Sequence, residues 1–183
     1  MTTTKAKKTI ELPQNPFAYE VLELVSKQRS NAKKVEVLQK YTHESLKTIF
    51  VINFDDSVIS MLPEGDVPYA EMKEQTVYQG SLSENLAREA GGGESATGQD
   101  LDGRGRTSLR REYVNLYHYV KGGNDTLSPV RREMMFINLL QGLHPRDAEI
   151  LILIKDKKLE SKYKISFENV KNAYQDIKWG GRS

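Results

Sequence analysis

An all-α fold of about seven helices in one compact domain is predicted from three features of the 183-residue sequence. Apolar residues recur at the three- and four-residue spacing of amphipathic helices over most of the chain. Asn, Ser and Pro, which favour helix starts, precede several of these repeats. No alternation of strand and helix patterns and no internal repeat is present. A long irregular Gly-rich insertion is the one large departure from the helical pattern.

Residues 1–14 are predicted to be a disordered basic tail, and residues 15–63 to form the first helical half of the domain. Three helices are expected there, each begun by a residue that can cap it. A short apolar run after the third helix is compatible with either a strand or a helix. The expected caps are Asn15 (before Pro16), Ser30 or Asn31, and Thr42, and the ambiguous run is 58–62.

Residues 64–107 are predicted to be a flexible, acidic and Gly-rich insertion. Over residues 61–100 the chain carries two Lys/Arg against eight Asp/Glu. The run Gly91-Gly92-Gly93 is typical of a flexible connection. It does not match a phosphate-binding loop, because the Lys-Ser/Thr pair of that motif is missing and no apolar strand precedes it.

Residues 108–179 are predicted to be a second helical half that packs on the first. One helical face is expected to hold residues from Leu109 to Val120, Tyr117 included, before Gly122-Gly123-Asn124 ends the helix. Further helices are expected after Ser128-Pro129, after His144-Pro145 and after Ser166. The inward residues predicted for the first of these three helices are Val130, Met134, Ile137 and Leu140.

Composition excludes several classes of protein. The chain has no cysteine, so it has no disulfide and no thiolate metal site. No apolar run approaches the roughly 20 residues of a membrane span, and the basic start lacks the apolar stretch of a secretion signal. A cytoplasmic protein is therefore expected, in the host cytoplasm if the protein is viral, with no membrane partner.

No residue pattern indicates catalysis. The three histidines, His43, His118 and His144, do not stand at metal-ligand spacing, and Asp55-Asp56 has the sequence of an ordinary acidic turn. A two-metal nuclease would need several converging carboxylates, which the sequence does not indicate. We therefore expect a non-enzymatic protein without catalytic residues, metal or cofactor.

Basic residues concentrate where the predicted helices meet their connecting loops. Such positions suit phosphates, because backbone N–H groups point outward there. A bipartite surface for the DNA backbone is therefore predicted, with one part early in the chain and one part late. No helix shows the Asn, Gln or Arg pattern of a major-groove reading helix. The predicted contacts are Lys27, Arg29, Ser30, Lys33, Lys34, Lys155, Lys157, Lys158, Lys162 and Lys164, with a secondary basic patch of Arg104, Arg106, Arg110 and Arg111.

Two stretches resemble the helical DNA-binding domain that precedes the catalytic core of ATP-dependent DNA ligases, especially those of tailed phages. Residues 15–54 show a helix, a Ser/Lys-rich turn, a short helix ending in Leu and a Leu-Lys helix. Residues 116–174 show a Gly-Asn loop, a Leu-Leu pair, Asp-Ala before an apolar helix, and a Lys-Asp-Lys-Lys-Leu ending. The matching residues are Ser30, Lys33, Lys34, Leu38, Leu46, Lys47, Gly123, Asn124, Leu139, Leu140, Asp147, Ala148, Lys155, Asp156 and Leu159.

The resemblance implies an all-α fold that lies along the minor groove of a duplex and holds its backbone. It does not imply a ligase. The nucleophilic lysine of that family lies in a Lys-x-Asp-Gly motif, and the only Asp-Gly pair in this chain, Asp102-Gly103, has Asp100 at the lysine position. The chain also ends where the family's nucleotidyltransferase domain would begin, so no ligase activity is expected in cis. Glu160-Ser161-Lys162 replaces the family's usual loop glycine. The chain is also similar to small proteins of large tailed phages.

The leading hypothesis is a non-catalytic accessory protein that binds double-stranded DNA, intact or nicked, with little sequence preference. A phage or host replication or repair protein is the expected protein partner. The alternative is a phage protein-interaction adaptor or virion-associated protein with no nucleic-acid ligand, in which residues 64–107 act as a tether. A nuclease or other hydrolase is the third and weakest hypothesis.

Overall fold

The computed structural model describes residues 11–65, 67 and 107–182. These ranges contain seven α-helices and no strand beyond one isolated β-bridge, which confirms the predicted all-α fold. Most of the predicted tail (1–14) and insertion (64–107) lies outside the described residues. The helices are α1 (Ala18–Lys27), α2 (Asn31–Lys40), α3 (Glu44–Phe54), α4 (Leu109–Glu112), α5 (Pro129–Gly142), α6 (Pro145–Lys155) and α7 (Phe167–Ala173), with 3₁₀ helices at Tyr113–Tyr119 and Leu159–Ser161.

One hydrophobic core joins helices from early and late in the chain. Helix α2 packs on α7, and α3 packs on α6. Side chains with almost no solvent exposure come from both parts, including Leu22, Phe50, Leu140 and Ile150. Burial of such side chains contributes roughly 1.5–3 kcal/mol each relative to exposure. No helix within the described ranges is long and apolar enough to cross a membrane.

The helix starts follow the predicted capping chemistry with local shifts. The prediction that Asn15 caps the first helix was wrong: α1 begins at Ala18 with Phe17 at the cap position, and the backbone N–H of Phe17 donates to Glu20 Oε1 at 3.1 Å. Ser30 caps α2 as predicted, because its Oγ accepts the backbone N–H of Lys33 at 3.2 Å. This bond satisfies one of the first-turn N–H groups that have no partner inside the helix.

The prediction that Thr42 caps α3 was wrong. The cap is His43, whose ring Nδ1 accepts the backbone N–H of Ser45 at 3.1 Å. Thr42 instead ends the preceding helix, because its hydroxyl donates to the carbonyls of Leu38 and Gln39 at 3.1 and 2.8 Å. Burial lowers the pKa of His43, and nearby Arg110 lowers it further. The neutral ring can therefore accept the capping bond.

The segment after Ser108 does not form the single helical face expected. Only Leu109–Glu112 is α-helical, and the chain then continues as a 3₁₀ helix. A 3₁₀ helix has three residues per turn, so Leu116 and Tyr119 are buried while Tyr117 is 48% exposed. The ambiguous run at 58–62 is extended: Met61 N–H donates to Tyr119 O at 2.8 Å, beside the Ser60–Val120 bridge.

Helix α5 is rotated relative to the prediction. Val130 and Met134 were expected in the core, but they are 69% and 60% exposed. The buried stripe is Arg132, Phe136 and Leu140, which follow one another at the four-residue helical spacing. Of the predicted inward residues, Leu140 is therefore buried and Ile137 is half-buried against the core. Arg132 fixes this rotation, because its guanidinium donates to the carbonyl oxygens of His118, Asn124 and Leu127 at 2.9, 3.0 and 3.2 Å.

Gly123 is required by close backbone packing in the loop before α5. A Cβ atom at this position would lie 1.9 Å from the carbonyl oxygen of Tyr117, so the backbone would have to move. We expect Gly123→Ala to lower the free energy of unfolding by about 2 kcal/mol, measured by urea denaturation. Gly142→Ala is the matched control: Gly142 is the last residue of α5, and its Cβ would meet only a Thr107 methyl group at 3.4 Å. Equal urea midpoints for the two variants would contradict the packing argument.

Candidate nucleic-acid interface

The early and late basic regions meet at the turn between α1 and α2. The backbone N–H of Lys164 donates to Ser26 Oγ at 3.0 Å, and Lys34 Nζ donates to the carbonyl oxygen of Lys164 at 2.6 Å. Nearby, the amide of Asn169 donates to Asn31 Oδ1 at 3.1 Å. The chain around residue 164 is therefore fixed against the start of α2.

We define the basic surface as the six predicted contacts that this packing brings together. Its cations make no ion pair with another described residue, and all except half-buried Lys34 belong to exposed residues. Lys34 uses one of its three N–H donors on Lys164, so two remain available. Ser30 accepts the capping bond through its oxygen and keeps its hydroxyl proton as a donor. The members are Lys27, Arg29, Ser30, Lys33, Lys34 and Lys164.

The prediction that Lys155 contacts phosphate is corrected by the structure. The residue is only 7% exposed, and its ammonium donates to the carbonyls of Pro63 and Gly65 at 3.0 and 2.7 Å. Its third donor pairs with Asp156 Oδ2 at 2.8 Å. All three N–H groups are thus occupied, and Lys155 ties the end of α6 to the 63–65 segment.

Lys157 also has an internal partner. Its Nζ donates to the carbonyl oxygens of Ile52 and Asp55, both at 2.8 Å, and so satisfies the C-terminal end of α3. Burial lowers the pKa of Lys157, although nearby Asp56 and Asp55 oppose that shift. The backbone has φ +56°, which is uncommon for a residue other than glycine. The predicted phosphate role of Lys157 is therefore replaced by helix capping.

The other predicted cations lie outside the basic surface. Lys162 pairs with Glu149, so its charge is largely neutralised. Lys158 is exposed, and none of the hydrogen bonds that fix the chain around residue 164 against α1 and α2 involves it. Arg110 lies near His43. The neighbouring residue Leu109 and Tyr19 in the first turn of α1 both donate backbone N–H groups to the carboxylate of Asp147. This is the end of α1 opposite to Lys27, about 15 Å along the helix. Exposed Arg111 belongs to the same short helix α4, and Arg104 and Arg106 are outside the described residues.

Asp147 is a buried polar group that the sequence marked only as part of the ligase resemblance, not as a site residue. It has no exposed surface, and its Oδ1 accepts the backbone N–H of Tyr19 at 3.0 Å. Burial raises the pKa of Asp147 to about 7, despite hydrogen bonds from the backbones of Tyr19 and Leu109. Its Oδ2 and the hydroxyl of Tyr163 make no hydrogen bond with any described residue. Asp147 therefore joins the starts of α1 and α4 to α6.

The histidines and carboxylates of the described residues form no metal-binding cluster. No group of three His, Cys, Asp or Glu side chains among them could hold a metal ion. His144 supports the start of α6 as expected, because its Nδ1 accepts the backbone N–H of Arg146 at 3.2 Å. Burial lowers the pKa of His144, and its ring stacks on Tyr19 with centroids 4.6 Å apart.

The internal role of Lys155 was detectable in the sequence. Lys155 follows Ala148 and Leu151 at seven and four residues, so it falls on the buried face of the same helix. Helical spacing therefore distinguishes Lys155 from the solvent-facing cations. Arg132 is not distinguished in this way, because the apolar residues Val130 and Met134 indicated a different buried face of α5. No comparable pattern marks Lys157, whose position depends on its unusual backbone conformation.

Comparison with known proteins gives a family but no activity. No curated protein and no solved structure matches the chain significantly. A family profile matches residues 21–91 and 95–161, which include most of α1, all of α2 to α6, and most of the basic surface but not Lys164. The resemblance to ligase DNA-binding domains stays a prediction. The chain belongs to DUF6433, a family of unknown function.

Proposed function

We propose that the protein is a non-catalytic accessory protein that binds the phosphate backbone of double-stranded DNA with little sequence preference. The observation that supports this proposal is the contact between Lys34 and the backbone of Lys164, which gathers early and late cations into the basic surface. Each cation that neutralises a phosphate releases counterions, and this release dominates nonspecific DNA binding. Lys155 and Lys157 are not part of this proposal.

Buried aromatic residues favour a duplex over a single strand as the ligand. Single-stranded nucleic acids are bound through bases that stack on accessible aromatic rings. Tyr163, next to Lys164, is 2% exposed, and Tyr174 is 3% exposed with its hydroxyl donating to Leu38 O at 2.9 Å. Lysine ammonium groups and the Ser30 hydroxyl instead suit phosphate oxygens, which carry no sequence information.

A second candidate function is a protein-interaction adaptor. Val130 and Met134 form an exposed apolar stripe on α5, at a spacing that places them on one helical face. Such a stripe on a soluble protein is typical of an interaction surface. This function predicts that the unmodified protein forms a discrete, nuclease-resistant complex with a protein partner and that Val130→Glu with Met134→Glu abolishes it. Survival of that complex in the variant would count against the adaptor role.

The DNA-binding proposal is tested with a charge-matched pair of variants. We expect the double variant Lys33→Ala/Lys164→Ala to bind intact or nicked duplex about 100-fold more weakly at about 50 mM salt, since two counterion-releasing contacts are lost. The control Lys121→Ala/Arg131→Ala also removes two exposed cations without a described ion pair, but away from the basic surface. The control should bind like the unmodified protein. Flat isotherms for both duplexes with the unmodified protein would refute the proposal.

A further inference from the structure

The carboxy-terminal segment, residues 175–182, is fixed against the end of α3. The backbone N–H of Gly180 and the guanidinium of Arg182 both donate to Asp55 Oδ2, at 2.9 and 2.8 Å. The backbone N–H of Arg182 also donates to Ser57 Oγ at 3.0 Å. Burial alone would raise the pKa of Asp55, but hydrogen bonds from Ser57 and Gly180 and the charge of Arg182 lower it overall.

Two glycines allow the segment to fold back on itself. Gly180 and Gly181 have φ +87° and +71°, a conformation that costs other residues roughly 1–2 kcal/mol each. The resulting turn lets Arg182 donate to the carbonyl oxygen of Lys178 as well as to Asp55. The segment is thus held in one conformation before any ligand arrives, which reduces the entropy cost of a contact.

The segment reaches the start of α7 through aromatic packing. The ring of Trp179 meets the ring of Phe167 edge-on, with centroids 4.8 Å apart. Phe167 is the first residue of α7, three residues after Lys164 of the basic surface. On its other side Phe167 stacks on Phe54 at the end of α3, at 5.7 Å. Trp179 therefore lies close to the part of the chain that carries Lys164.

The charges of the segment leave one cation without a described counter-ion. Asp176 forms an ion pair with Lys47 at 2.8 Å, and Arg182 forms one with Asp55. Lys178, between them, is exposed and makes no ion pair with another described residue. The fixed segment thus presents a single unpaired positive charge next to Trp179.

We propose that residues 175–182 extend the basic surface and that Lys178 makes a further phosphate contact with the bound duplex. The partner is the sugar–phosphate backbone already assigned to the basic surface, so this inference rests on the proposed function. Neither the sequence pattern nor the ligase resemblance pointed to this residue. The half-buried indole of Trp179 lies beside the contact and reports on it.

Trp179 provides a direct signal because it is the only tryptophan in the chain. Intrinsic fluorescence is recorded while a short duplex of mixed sequence is added to the full chain at about 50 mM salt. We expect the duplex to change the Trp179 emission. We expect Lys178→Ala to weaken binding roughly tenfold, the loss of one counterion-releasing contact at this salt concentration. Lys121→Ala, an exposed single-charge control, should bind normally, and thermal melting verifies that both variants are folded.

The outcomes separate the inference from the proposed function. One outcome would overturn the carboxy-terminal contact alone. In that outcome Lys33→Ala/Lys164→Ala binds weakly, whereas Lys178→Ala binds like the control and shows no change in Trp179 emission when the duplex is added. A lack of duplex binding by the unmodified protein would overturn both. Weakened binding by Lys178→Ala with a duplex-induced emission change in the unmodified protein would support the contact.

Discussion

Asp147→Asn is expected to remove most of the loss of folding stability that accompanies a rise in pH through about 7. Asp147 is fully buried, and burial raises its pKa to about 7. In the unfolded chain the group should titrate near its ordinary value of about 3.9. The folded protein therefore holds a proton on Asp147 between these two values, while the unfolded chain does not.

The sign of the effect follows from proton linkage. Because the folded state binds the extra proton, Asp147 favours folding at low pH, and this contribution is lost as pH rises through about 7. Between pH 5 and pH 8 the loss amounts to about 3 kcal/mol. His43 and His144 act in the opposite direction in this range, since burial lowers their pKa and the unfolded chain therefore binds more protons on them. Only the difference between Asp147→Asn and the unmodified protein isolates the buried group.

Urea unfolding at several pH values measures this difference. Asparagine keeps a carbonyl oxygen that can accept the Tyr19 N–H but cannot ionise. We expect the variant to gain stability relative to the unmodified protein as pH rises from 5 to 8. Glu20→Gln is a companion variant, because the charge of Glu20 also raises the pKa of Asp147. Glu20→Gln should lower the pH at which the stabilising contribution of Asp147 is lost. Parallel stability curves for Asp147→Asn and the unmodified protein would contradict the assignment.

Lys155→Met is expected to destabilise the fold by about 3 kcal/mol, as for other broken buried ion pairs. The substitution keeps a long apolar side chain but leaves the carbonyls of Pro63 and Gly65 without their ammonium donor. Asp156, whose side chain is 9% exposed, would also lose its cation. The urea midpoint at constant pH measures the loss.

Lys158→Met is the matched control, since it makes the same change at an exposed lysine three residues away. A surface substitution of this kind should alter the free energy of unfolding by less than about 0.5 kcal/mol. Equal urea midpoints for the two variants would show that Lys155 does not tie α6 to the 63–65 segment.

The all-α fold and most helix starts followed from sequence because their causes are local. Ser30 and Ser166 cap helices through bonds to residues three positions away. The rotation of α5 could not be derived in the same way. Val130 and Met134 form an apolar stripe in the sequence, but the hydrogen bonds of Arg132 to three carbonyls between residues 118 and 127 place Arg132 and Phe136 in the core.

The candidate site was predictable as a collection of cations but not as an arrangement. Charge density near helix starts indicated Lys33 and Lys34, and the structure brings Lys164 to them across 130 residues of chain. The internal roles of Lys155 and Lys157 depend on carbonyl groups about 100 residues away in sequence. Tertiary packing therefore decides which cations stay available to a phosphate.

The central claim is that the basic surface neutralises DNA phosphates. The salt dependence of duplex binding tests this claim most directly, because the slope of log Kobs against log salt counts the phosphate contacts. We predict that Lys33→Ala/Lys164→Ala makes this slope shallower by about 2, whereas Lys121→Ala/Arg131→Ala leaves it unchanged. The same slope for both variants would contradict the claim.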